Sequence, residues 1–162
     1  DMLDMITAAT GAAEMQRYEV SAYARAGHRC EHNLNYWQFS DYLGFGAGAH
    51  GKLSFAHRVL RTVKLRDPQR YMEGAKAGQA LAQADEVKRA DLPFEFMLNA
   101  LRLRAGFELG QFTERTGLPV NAIAQALAQA EARGLIERDG AQMRPTERGF
   151  DFLSELQALF LA

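Results

Sequence analysis

His32, Asn33, Asn35, Tyr36 and Trp37 lie within one six-residue block that contains the only tryptophan of the chain. An imidazole, two carboxamides, a phenol and an indole packed this densely are poor material for a plain core strand. His32 has the chemistry of a metal or heme-iron ligand, of a general acid or base, or of a hydrogen-bonded loop histidine. Cys30 stands two positions before it, a spacing compatible with two ligands to one metal, although structural zinc usually takes four. Tyr36 and Trp37 read as core or pocket wall, and their amphipathic rings would suit the flank of a flat aromatic ligand.

A glycine run follows at once, with Gly44, Gly46, Gly48 and Gly51 spread through Asp41-Tyr42-Leu43-Gly44-Phe45-Gly46-Ala47-Gly48-Ala49-His50-Gly51. Missing side chains let this backbone come close to a ligand or to a neighbouring strand. The run has neither the spacing nor the Lys-Ser/Thr ending of a Walker A loop. Its third glycine comes too early for a dinucleotide fingerprint. His50 and His57 read as solvent-facing histidines, and no Ser/His/Asp set or catalytic carboxylate pair stands out.

These groups need elements to hold them. The 162 residues give room for one ordinary domain or two small ones, and 48% hydrophobic with 24% charged residues is ordinary for a folded protein. The net charge of -1 gives no general attraction to nucleic acid or an anionic membrane. One cysteine excludes an internal disulfide and any iron–sulfur cluster held by this chain alone. It also suits a reducing compartment, read here as the cytoplasm. Asp1-Met2-Leu3-Asp4-Met5-Ile6 reads like the middle of a helix, so the chain is expected to be a piece of something longer.

Helical spacing at Leu3, Ile6, Ala9 and Ala13 predicts a first helix, and the alternation of Tyr18 to Ala24 a strand. Residues 42–49 read as a buried strand and Arg58 to Leu65 as an edge strand. A helix begins at Asp67-Pro68. The Ala/Gln/Lys-rich stretch from Ala75 to Ala90 reads as a surface linker helix anchored by Leu81 and Val87. Beyond Pro93 the pattern becomes regular: an amphipathic helix to Gly106, a short helix stopped by Gly117, and a longer one from Pro119 to Gly134 with Ile123, Leu127 and Ala130 inward. Leu135 to Thr146 is a hairpin turning at Asp139-Gly140, and a last helix carries Phe150 to Phe160. That order is winged-helix-like. Residues 93–162 hold nine acids against seven arginines and no lysine, and the would-be recognition helix has one base at its far end. Phosphate neutralisation dominates nucleic-acid affinity, so the arrangement reads as a structural or protein-docking module.

Tyr18-Glu19-Val20-Ser21-Ala22-Tyr23-Ala24-Arg25, Cys30-Glu31-His32-Asn33-Leu34-Asn35-Tyr36-Trp37, the glycine run, Leu92-Pro93-Phe94-Glu95-Phe96 and Thr116-Gly117-Leu118 occur in this order and at this spacing. Together they resemble the C-terminal half of the HemW heme-chaperone family, which is related to the oxygen-independent coproporphyrinogen III oxidases of the radical-SAM superfamily. The resemblance implies an α/β plus α+β fold. Residues 1–66 would be the C-terminal strands of a partial (β/α)6 barrel, 67–92 a helical connector and 93–162 a winged-helix-like C-terminal domain.

The parent would carry a [4Fe-4S] cluster and S-adenosylmethionine in a half absent from this chain. The resemblance makes His32 the heme ligand and Cys30 a weaker second, with Tyr36 and Trp37 beside the porphyrin and Ala49 and His50 as weak cofactor contacts. Heme and a respiratory hemoprotein acceptor would be the partners, and nucleic acid would not. Two other readings stand beside this one: a fragment of a true coproporphyrinogen oxidase, and a winged-helix regulator. Excision of a part-barrel would leave a strand edge near Tyr18–Ala24, an invitation to self-association.

Overall fold

A computed structural model describes residues 2–161, the side chain of Leu3 excepted. The first helix, α1, spans Met2–Ala12. The expected inward role of Leu3 and the expectation for Asp1 lie outside what is described. After α1 comes a short ribbon, β1 (Gln16–Arg17) against β2 (Tyr23–Ala24). Residues 18–22 turn between them, so the strand expected over Tyr18–Ala24 is broken in the middle. Its edge is not left free. Glu19 bridges Leu103, and the Arg104 amide donates to the Tyr18 carbonyl at 3.1 Å.

The block around His32 forms a helix, α2 (Glu31–Trp37), so His32 is not a loop histidine. The end of α2 explains its length. The Phe39 amide donates to the Tyr36 carbonyl at 3.0 Å and the Ser40 amide to the Asn35 carbonyl at 3.0 Å, the paired bonds of a Schellman stop. The left-handed residue in that stop is usually glycine. Here it is Phe39, at φ 54°, with its ring buried.

β3 (His50–Phe55), β4 (Arg58–Lys64) and β5 (Leu81–Glu86) make an antiparallel sheet in the order β3-β4-β5. Two expectations are corrected here. Residues 42–49 are not a buried strand: only Tyr42 pairs, with Lys52, and Phe45 is 83% exposed. The glycines let this segment fold back over the start of β3, and a Cβ at Gly44 would collide with the His50 carbonyl. The Ala75–Ala90 stretch is not a helix either. Helix α3 (Pro68–Lys76), capped by Asp67 accepting from the Arg70 amide at 2.8 Å, begins where Asp67-Pro68 predicts. Gly78, at φ 71°, then reverses the chain into β5, whose pairing with β4 overrides the helix propensity of Ala and Gln. Leu81 is 49% exposed and is no anchor, whereas Val87 does pack on the core.

Helix α4 (Leu92–Ala100) ends sooner than expected, and a turn carries the chain to Gly106 at φ 66°. There follow β6 (Phe107–Glu108), α5 (Leu109–Thr116), α6 (Asn121–Ala132), the hairpin β7 (Ile136–Asp139) and β8 (Gln142–Pro145), α7 (Glu147–Asp151) and α8 (Leu153–Ala158). The three short strands pair in the order β6-β8-β7. Every strand pair among the described residues is antiparallel, so residues 1–66 do not supply the parallel strands expected of a barrel. One core runs through the molecule: Phe39 and Val59 join Phe96, Phe107, Phe112, Ile123, Leu127 and Leu156. Phe96 sits at its centre, edge-on to Phe39, Phe107 and Phe112 at 5.7, 5.2 and 5.4 Å.

Candidate functional site around helix α2

Helix α2 buries none of its own residues. It projects its first turn outward and is held at its far end. His32 lies exposed on that first turn, its ring edge-on to Tyr36 at 4.8 Å, as the four-residue spacing on a helix allows. Tyr36 in turn lies 4.3 Å from Tyr42 across the loop. The Tyr42 hydroxyl accepts from Arg61 Nη1 at 3.3 Å, and Arg61 pairs with Glu95. Burial raises the Tyr42 phenol above its ordinary value, although the Arg61 charge opposes this, so Tyr42 stays a neutral phenol near neutral pH. The result is a ledge of imidazole and two phenols, backed by an ion pair and open at the His32 end.

The other expected residues divide between the ledge and elsewhere. Cys30 is exposed and unpaired at the N-cap of α2. No hydrogen bond among the described residues engages either His32 ring nitrogen, so both remain open to a ligand. Trp37 is on a different side of the helix, with the Arg102 guanidinium 4.1 Å above its ring and its indole nitrogen buried. That face of the indole is occupied by protein. Ala49 accepts from the Lys64 amide at 2.8 Å, and His50 is exposed at the start of β3 opposite Val63. No hydrogen bond or ring contact among the described residues joins Ala49 or His50 to His32. The glycine run, left open between ligand and strand, serves a strand: Gly51 has no room for a Cβ beside the Thr62 hydroxyl.

Sequence reasoning missed the residues that fix the ledge. Lys52 is buried, with its ammonium on the Phe39 carbonyl, Asp41 and Ser54 at 2.9, 3.2 and 2.8 Å. Glu19 is buried as well, accepting from the Ser21 amide at 2.8 Å, the Ser21 hydroxyl at 2.9 Å and Arg102 at 3.2 Å. A lysine in an alternating strand and a glutamate in a polar turn carry no local signal of burial. Among the described residues no cluster of three or more His, Cys, Asp or Glu side chains is placed to hold a metal ion. No helix of the described residues is long and apolar enough to cross a membrane.

Residues 87–152 match the HemN C-terminal domain family. The fold of the chain agrees with that of the solved coproporphyrinogen III oxidase HemN of Escherichia coli, described as a radical SAM enzyme. The TM-score is 0.65 over 98% of this chain and 39% of that one, at 15% identity, a likeness of fold alone.

Across nearly its whole length the chain is similar to part of proteins named heme chaperone HemW. It is 43% identical over 152 residues to HemW of Escherichia coli, spanning 93% of this chain and 39% of the relative. Identity is 41% over 150 residues to HemW of Haemophilus influenzae (92% and 38%) and 29% over 163 residues to HemW of Bacillus subtilis (99% and 42%). The chain therefore spans about two fifths of the length of the curated relatives it matches.

Proposed function

We propose that this chain is the heme-binding C-terminal part of a heme chaperone, with His32 as the axial ligand to heme iron. The observation that carries the reading is the 43% identity to a protein named heme chaperone HemW. The geometry around His32 agrees with it. An imidazole that is exposed, has no hydrogen bond among the described residues and is steadied by a tyrosine ring is a competent iron ligand. His32 is exposed and Tyr36 half-buried beside it, so a flat macrocycle held by His32 would meet the Tyr36 ring at its flank. Cys30, exposed at the N-cap of the same helix, would be the weaker second candidate to hold the iron.

Delivery to a respiratory hemoprotein in the cytoplasm follows from this reading, as do a [4Fe-4S] cluster and S-adenosylmethionine elsewhere in the parent. One cysteine cannot hold such a cluster, so no residue of this chain is assigned to it. We read residues 93–162 as winged-helix-like on the order α4, β6, α5, α6, β7, β8, a docking module for protein rather than nucleic acid. Titration of the chain with hemin, followed by absorbance, tests the proposal: a Soret shift on binding supports it, and a spectrum identical to free hemin overturns it.

A further inference from the structure

We propose that Lys52 is the positioning residue of the His32 site, an inference that rests on the heme-ligand reading of His32 and names the group that sets its geometry. A lysine ammonium 2% exposed is costly unless every donor is used. Here each of its three protons has an acceptor: the Phe39 carbonyl, Asp41 Oδ1 and Ser54 Oγ. The ammonium also lies 4.0 Å from the centre of the Phe39 ring.

These contacts all converge on the stop of α2. Phe39 is a large residue in the left-handed region, a conformation that persists only when its surroundings impose it. Lys52 holds both the carbonyl and the ring of that residue. Asp41, its ionic partner, accepts from the Ser54 amide at 2.9 Å through its carboxylate and from the Asn35 side chain at 3.0 Å through its carbonyl. Asn35 lies in α2 itself, one residue before Tyr36. The Lys52 main chain, meanwhile, exchanges hydrogen bonds with Tyr42 at 2.9 and 3.0 Å. Lys52 thereby ties the stop of α2 to β3 and to the segment that carries Tyr42, and so fixes how Tyr36 meets Tyr42 and how α2 presents His32. Burial lowers the Lys52 ammonium from its ordinary value despite the opposing Asp41 bond, consistent with a group kept for geometry at an electrostatic cost.

The test uses Lys52→Met, which keeps the stem over Phe39, and Lys52→Met with Asp41→Asn, which also neutralises the abandoned carboxylate. The double variant is the one measured if the single variant does not fold. Proton NMR without heme reads the cross-peaks and mutual ring-current shifts of Tyr36 and Tyr42, whose rings lie 4.3 Å apart. Loss of these with unchanged signals from residues 92–160 is the expected result; an unchanged Tyr36–Tyr42 contact overturns the proposal.

Hemin titration gives the second readout. Binding is expected to weaken by about tenfold, the usual scale for removing a group that orients a ligand. The same substitution in a His32→Ala background is expected to leave residual hemin binding unchanged. Equal weakening in both backgrounds would show general loosening and overturn the positioning role. A wild-type chain with no Soret response would sink the heme reading by itself, while the NMR comparison would still decide on Lys52.

Discussion

Arg102 lays its guanidinium 4.1 Å above the Trp37 indole while donating to the buried Glu19 carboxylate at 3.2 Å. One cation therefore fastens helix α2 to the N-terminal ribbon and to the turn after α4. Lys52 fastens the end of the same helix to β3. The helix that bears His32 is held from two sides by buried or half-buried positive charge, and its first turn is left exposed.

Removing Arg102 strands Glu19. Arg102→Ala leaves a carboxylate that is 2% exposed with only Ser21 as partner, and uncovers the Trp37 ring. Loss of one partner of a buried ion pair costs about 3 kcal/mol. Urea denaturation should show that loss in Arg102→Ala and a distinctly smaller one when Glu19→Gln is added. Equal losses in the two variants would mean the pair contributes little.

Two glycines should respond in opposite directions to alanine. Gly11 lies in α1 with open space around its Cα, so Gly11→Ala should stabilise by about 0.5–1 kcal/mol. Gly44 packs against the His50 carbonyl, and Gly44→Ala should destabilise by about 1–3 kcal/mol through overpacking. Thermal melts of the two variants check the pair; a neutral Gly44→Ala would contradict the close approach.

Asp41 gives a pH signature. Burial by itself would raise its carboxyl, but hydrogen bonds from the Ser54 amide and hydroxyl and from Lys52 outweigh burial and hold it below its ordinary value. A carboxyl lowered in the folded state contributes stability above its unfolded value, near about pH 4, and that stability is lost as pH falls through the folded value. The stability difference between wild type and Asp41→Asn should therefore shrink between neutral pH and about pH 3. Urea melts across that range would contradict the assignment if the difference stayed constant.

Self-association is expected through α1 rather than through the ribbon. The edge near Tyr18 is engaged by Leu103 and Arg104, whereas Met2 and Met5 are 76% and 73% exposed on one helix face. Light scattering at high concentration should show dimers or larger species, reduced by Met2→Lys with Met5→Lys. A clean wild-type monomer would contradict this.

The regular C-terminal part was legible because its signals are local. Gly117 and Gly134 sit in the left-handed region as helix stops, Gly140 turns the hairpin, and Ile123, Leu127 and Ala130 face inward as their spacing predicts. The misread elements depend on distant partners. Leu81 to Glu86 is a strand only because β4 lies beside it, and α2 ends in a Schellman stop built on phenylalanine, which carries no glycine signal. In the site, His32 and Tyr36 were legible from residue type, but the helix that brings their rings together was not. Tyr42, Lys52, Arg102 and Glu19 were not, since each reaches α2 from another element or from across the loop after it.

The most direct test of the central claim is hemin titration of the wild-type chain beside His32→Ala, with Cys30→Ala and His50→Ala as companions. The reading of His32 as iron ligand predicts a Soret shift in the wild type that is lost in His32→Ala and kept in both companions. An unchanged Soret shift in His32→Ala would contradict it.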